Sequence, residues 1–176
     1  MSERIAVFPG SFDPITIGHV SIVERALPLF DRIVVAMGAN STKKYMFSTE
    51  KRIDWVRNTF VGYKQVEVMA FEGLTADLCK RLHAKYIVRG LRNSTDHGNE
   101  RSIALMNHAL AKVETIFLPS LPEHAHISST IVRELIANKA DVSAFVPAAV
   151  RPLPLSRRKR SRFPTRRSLP RVCASA

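Results

Sequence analysis

A short apolar strand that runs straight into a Gly/Ser/Pro turn, and from there into a helix, constrains this chain more than any other feature. Residues 7–19 read Val-Phe-Pro-Gly-Ser-Phe-Asp-Pro-Ile-Thr-Ile-Gly-His. Ile5 to Phe8 reads as a buried strand. After Gly18-His19, the apolar positions Ile22, Val23, Ala26 and Leu29 fall on one helical face. Such a turn gathers backbone amides, the Ser11 hydroxyl and the His19 imidazole at a helix N-terminus. Orphan amide donors and the positive end of the helix dipole coincide there, so the place suits a phosphate. An ordinary βα turn needs its glycines, but it needs neither Ser11 nor His19.

The same strand-then-helix unit recurs along the chain. Ile5–Phe8, Arg32–Met37, Val66–Phe71, Tyr86–Val88 and Thr115–Leu118 are short, apolar and bounded by turns, as buried parallel strands are. Helical patterns separate them: Val20–Phe30, Thr49–Phe60 with Ser48 or Thr49 as its cap, Leu74–His83, Asp96–Ala111, and Ser128–Asn138 capped by Ser128. A short last helix is expected near Val142–Phe145, before Pro147. Alternation of this kind predicts an α/β fold: a Rossmann-like, doubly wound, five-stranded parallel sheet in a single domain. In such sheets ligands sit beyond the C-terminal strand ends, where the strand order reverses.

Charge divides the chain in two. The formal net charge is +12, yet all fifteen acids and eighteen of the 27 Lys and Arg precede residue 151. Residues 1–150 form the expected α/β domain and are close to neutral. Residues 151–176 are rich in Pro, Ser and Arg and carry no helical or strand period, so they read as a basic, disordered tail. Such a tail can meet nucleic acid through phosphate contacts. No aromatic or helical pattern organises its charges, however, so no specific nucleic acid is expected. No apolar run of about 20 residues is present to span a bilayer, and the short apolar start does not make a signal peptide. Cys79 and Cys173 are the only cysteines, which fits a cytoplasmic protein without a disulfide framework.

Several chemistries are excluded by what the motifs lack. There is no G-x-x-x-x-G-K-(S/T) loop, no G-x-G-x-x-G after the first strand, no zinc-spaced Cys/His set and no G-x-S-x-G elbow. What remains is a set of phosphate-ready clusters after successive strands. They are Gly10-Ser11-Phe12-Asp13-Pro14 with Thr16-x-Gly18-His19, Lys43-Lys44, Arg89-Gly90-Leu91-Arg92, and Ile127-Ser128-Ser129-Thr130-x-x-Arg133. Cations, hydroxyls and two helix N-termini without a nucleophile–base pair suit phosphoryl or nucleotidyl transfer, which is mostly positioning and charge stabilisation.

These clusters, in this order and with Asp96…Glu100, resemble the bacterial phosphopantetheine adenylyltransferases of the (H/T)-x-G-H nucleotidyltransferase superfamily, over about residues 4–150. The resemblance implies adenylyl transfer from ATP to 4′-phosphopantetheine, giving dephospho-coenzyme A and pyrophosphate, with Mg²⁺ accompanying the triphosphate. It implies catalytic roles for His19, Lys43 and Arg92. It implies ATP contacts from Ser11, Phe12, His19, Gly90, Leu91, Arg92 and Glu100, and from the run His124, Ala125, His126, Ile127, Ser128, Ser129 and Thr130. It implies phosphopantetheine contacts from Ser11, Lys43, Thr75 and Arg89, and a homohexamer. The chain departs from the family at Asp96-His97-Gly98-Asn99-Glu100, where relatives carry Asp-Phe-Glu-Tyr-Glu, and in its C-terminal tail.

Overall fold

A computed structural model describes residues 3–39 and 44–150. The expected tail and Lys43 lie outside the described residues. Five parallel strands form one sheet: β1 (Ile5–Gly10), β2 (Arg32–Gly38), β3 (Val66–Phe71), β4 (Tyr86–Leu91) and β5 (Glu114–Pro119). Their order is β3-β2-β1-β4-β5. Five helices connect or follow them: α1 (Ile17–Ala26), α2 (Thr49–Phe60), α3 (Thr75–Arg81), α4 (Ser94–Ala111) and α5 (Ser129–Ala137). β1 pairs with both β2 and β4, so the winding direction reverses at its two edges. The crevice beyond the C-terminal ends of β1 and β4 is therefore the topological switch point.

Period-two alternation builds the two faces. Ala6 and Phe8 of β1, with Ile33, Val35 and Met37 of β2, pack beneath α1, α2 and α5. Ile5 and Val7, with Val34 and Ala36, pack on the opposite face with Leu78 and Cys79 of α3. A strand covered on both faces must be apolar along its covered length, and β1 is from Ile5 and β2 from Ile33, while Arg32 at the half-buried start of β2 pairs with Glu3 and Glu67. The edge strands β3 and β5 are only partly covered.

Several boundaries differ from the sequence expectation. β1 continues through Pro9-Gly10 and β4 through Arg89-Gly90-Leu91, because backbone pairing carries on through residues that read as turn formers. α1 begins at Ile17 rather than Val20, and a 3₁₀ turn over Leu27–Leu29, with Pro28 inside it, replaces its last turn. Ser48 is the cap of α2, its hydroxyl accepting from the Lys51 amide at 3.3 Å. The helix expected near Val142–Phe145 is a turn instead. The Asp141 carboxylate accepts from the Ser143 amide at 2.9 Å, and a 3₁₀ helix forms only after Pro147, at Ala148–Val150.

Candidate active site

The β1–α1 connection builds one wall of the site. Thr16 caps α1, and the His19 ring reaches back so that its Nδ1 accepts the Thr16 amide at 3.0 Å. An imidazole thus stands where a capping box carries Glu or Gln. An acceptor Nδ1 places the proton of the neutral ring on Nε2, leaving that nitrogen a donor. The ring packs edge-on against Phe12 at 5.3 Å and lies 6.3 Å from Phe8. Burial, with added repulsion from Arg89 and Arg92, lowers the His19 pKa from its ordinary 6.5 to about 4. His19 is neutral at pH 7, and the main cause is desolvation rather than the helix terminus alone.

Phe12 adopts φ 45°, in the left-handed region, and is 2% exposed. Its ring fills the space beside Gly10. A Cβ on Gly10 would stand 2.7 Å from Phe12 Cζ. Asp13 is buried, and its carboxylate accepts from the amides of Met46 at 2.9 Å and Phe47 at 3.1 Å. This ties the β1 loop to the segment that leads into α2.

The β4 end supplies the cations, each already paired. Arg89 donates Nε to Glu100 Oε2 at 2.7 Å and Nη1 to the Pro9 carbonyl at 2.6 Å, and a second contact to Glu100 completes the fork. Arg92 donates Nε to Asp96 Oδ2 at 2.9 Å. The Arg92–Asp96 pair is the more exposed and the more easily exchanged for a ligand anion. Gly90 lets β4 approach α1: a Cβ there would lie 2.9 Å from Ile22 Cγ1.

The third wall is the start of α5. Ser128 is its N-cap, accepting from the Ile131 amide at 3.2 Å. The Ser129 hydroxyl donates to the Pro14 carbonyl at 2.8 Å. Arg133 donates to the Asp13 carbonyl at 2.7 Å and to Thr130 Oγ1 at 3.1 Å. The polar side chains of this turn are thus engaged within the protein. The backbone amides of Ser129 and Thr130 have no partner among the described residues, and they are the donors left for an anion.

These walls enclose one cavity of about 310 Å³, lined by Ser11, Phe12, His19, Arg89, Gly90, Arg92, Glu100, His124, Ile127, Ser128, Ser129 and Thr130 among others. His19, Arg92 and Ser129, distant in sequence, share it. A second cavity of about 330 Å³ shares Ser11, Arg89 and Glu100 with the first, and adds Tyr45, Phe71, Thr75 and Asn107. Thr75 therefore belongs to the second cavity. Leu91 lines neither cavity, and neither do Ala125 and His126, whose ring packs edge-on to Phe145. The sequence reading gave no role to Asp13, Asp96 or Ser120, which also line the first cavity. Asp13 was legible as part of the loop motif, but its grip on residues 46 and 47 carries no sequence signal.

The cavity's carboxylates do not form a dedicated metal cage. Asp13, Asp96 and Glu100 are each held by arginine or backbone donors, and no group of three potential ligands occurs among the described residues.

Comparison with known proteins agrees with this architecture. Residues 7–135 match the cytidylyltransferase-like family. A phosphopantetheine adenylyltransferase of Flavobacterium psychrophilum is 52% identical over 148 residues, covering 84% of this chain and 98% of that protein. One from Christiangramia forsetii is 48% identical over 146 residues, covering 83% and 97%. The fold is shared with a putative nicotinate-nucleotide adenylyltransferase of Vibrio parahaemolyticus, with a TM-score of 0.66 at 20% identity over 84% of this chain and 90% of that one. The chain belongs to the phosphopantetheine adenylyltransferase family.

Proposed function

We propose that this protein transfers the adenylyl group of ATP to 4′-phosphopantetheine, yielding dephospho-coenzyme A and pyrophosphate. The observation that carries the reading is a single cavity that joins a neutral histidine, three arginines and a helix N-terminus. ATP occupies the cavity of His19, Arg92 and the α5 start. The phosphate of phosphopantetheine lies between Ser11 and Arg89, with its arm in the second cavity beside Thr75. Lys43 joins the transferred phosphate.

No general base is required. A phosphomonoester has a second pKa near about 6 and is largely dianionic at pH 7. Its oxygen attacks the α-phosphorus in line, and pyrophosphate leaves from the opposite side. The protein holds two anions together and neutralises the charge that accumulates. His19 Nε2–H donates to an α-phosphate oxygen without bringing a proton that the phosphate could capture. Arg92 exchanges Asp96 for the β- and γ-phosphates, and the α5 amides add fixed dipoles. Mg²⁺ is part of the nucleotide substrate and screens the triphosphate charge.

The reading extends to a cytoplasmic homo-oligomer, a hexamer by the family resemblance. α4 buries no residue, and Ile103, Leu105, Met106 and Leu110 stand about half exposed or more, as a helix covered by another copy would in the isolated chain. Among the described residues no helix is long and apolar enough to cross a membrane. The test of function is pyrophosphate release from ATP. Release that depends on 4′-phosphopantetheine is expected. Release that depends on nicotinate mononucleotide instead, or that requires CTP, overturns the assignment. Sedimentation equilibrium checks the oligomer.

A further inference from the structure

Arg52 stands out because it is 0% exposed, the most deeply buried charged side chain among the described residues, and no carboxylate there lies within ion-pair distance. A buried cation that no carboxylate contacts directly is expensive unless its donors are satisfied. Its Nε donates to the Phe47 carbonyl at 3.2 Å, and its Nη2 to Thr49 Oγ1 at 3.2 Å. Its Nη1 donates to the Ser11 carbonyl at 2.6 Å, across 41 residues of sequence. The guanidinium also lies 3.8 Å from the centroid of the Tyr45 ring. Arg52 lines neither cavity, whereas Ser11 lines both and Phe12 lines the first.

A trans peptide directs its carbonyl and the next amide to opposite sides. Holding the Ser11 carbonyl from the protein interior therefore turns the Phe12 amide outward, toward the cavity. That amide has no hydrogen-bond partner among the described residues. We propose that Arg52 is a positioning residue: it grips the Ser11–Phe12 peptide from behind and presents the Phe12 amide to a phosphate oxygen. Two features support this. Phe12 occupies the left-handed region, which a bulky residue keeps only when its surroundings hold it there. The Asp13 carboxylate also binds the Met46 and Phe47 amides, so two opposite charges stitch the same pair of segments in reciprocal directions. A cation on the carbonyl further polarises the peptide and strengthens its N–H as a donor.

The proposal rests on the adenylyl-transfer reading, and its test separates the two. Arg52→Lys keeps a charge but loses the fork, and Val56→Ala, a fully buried α2 neighbour, serves as a stability control. Thermal stability, kcat and KM are measured for parent and variants, and the Phe12 amide shift is followed by ¹⁵N–¹H NMR on addition of inorganic pyrophosphate. Arg52→Lys is expected to lower kcat by about tenfold or more, the scale of weakening one oxyanion donor, with KM changed less than about threefold. The pyrophosphate-induced Phe12 shift should shrink with it. Val56→Ala should lower the Tm and leave kcat within about twofold. Where Arg52→Lys does not fold, Thr49→Val, which removes only the acceptor of Nη2, carries the same readouts with a smaller loss. Parental kcat and a parental Phe12 shift in the variant overturn the proposal. So does an equal kcat loss in Val56→Ala at matched Tm. A parent without phosphopantetheine-dependent turnover refutes the functional reading, and the Phe12 shift with pyrophosphate still decides the role of Arg52.

Discussion

Replacing Gly10 by Ala tests whether the site is built by close packing rather than by loop sequence alone. The added Cβ would lie 2.7, 2.9 and 3.0 Å from Cζ, Cε1 and Cε2 of Phe12. Relaxed carbon contacts begin near about 3.5 Å, so the ring must retreat by roughly 0.5–1 Å. Phe12 is 2% exposed and lies against Phe8 and His19, so the retreat pushes on the His19 ring. Overpacking of this kind costs about 1–3 kcal/mol, a Tm loss of roughly 2–12 °C for a domain of this size. Displacement on the ångström scale beside the reacting phosphate lowers turnover by about 10²-fold. Differential scanning fluorimetry and pyrophosphate release read the two effects. The double variant Gly10→Ala/Phe12→Leu removes the ring tip that collides, and should recover part of both. A Gly10→Ala protein with parental Tm and turnover would refute the reasoning.

Two further outcomes follow from particular residues. Gly98 sits inside α4 with open space where a Cβ would go, so Gly98→Ala should stabilise the protein by about 0.5–1 kcal/mol, raising the Tm by roughly 1–4 °C with kcat unchanged; a fall in Tm contradicts this. His19 should titrate near 4 in the folded protein by NMR, with the proton of its neutral ring on Nε2. The unfolded chain takes up that proton near 6.5, so the contribution of His19 to stability is complete above about 6.5 and is lost as the pH falls toward 4. The Tm gap between parent and His19→Gln should therefore shrink across that window, and a gap independent of pH contradicts the depressed pKa.

The strands were legible because β1 from Ile5 and β2 from Ile33 are covered on both faces and carry apolar residues along that length. Their C-terminal ends were not, since Pro9-Gly10 and Arg89-Gly90-Leu91 pair through backbone that side-chain chemistry does not advertise. The start of α1 was misplaced by three residues because a histidine fills the capping-box position. Within the site, His19, Arg89, Arg92 and the α5 turn could be named from motif and strand position. Their pairings could not: the hydroxyls of Ser128 and Ser129 serve the protein's own backbone, which leaves amides to the ligand. Arg52 belongs to none of the sequence motifs. Its one sequence clue is that it falls beside Ile53, Val56 and Phe60, on the face α2 turns to the core.

The most direct measurement is a crystal structure with α,β-methylene-ATP, which cannot transfer its adenylyl group. The account predicts one nucleotide in the cavity between β1, β4 and α5. Its α-phosphate should meet His19 Nε2, its outer phosphates Arg92 and the amides of Ser129 and Thr130, and one phosphate oxygen the Phe12 amide. A nucleotide seated elsewhere, or phosphates that reach none of these groups, would contradict it.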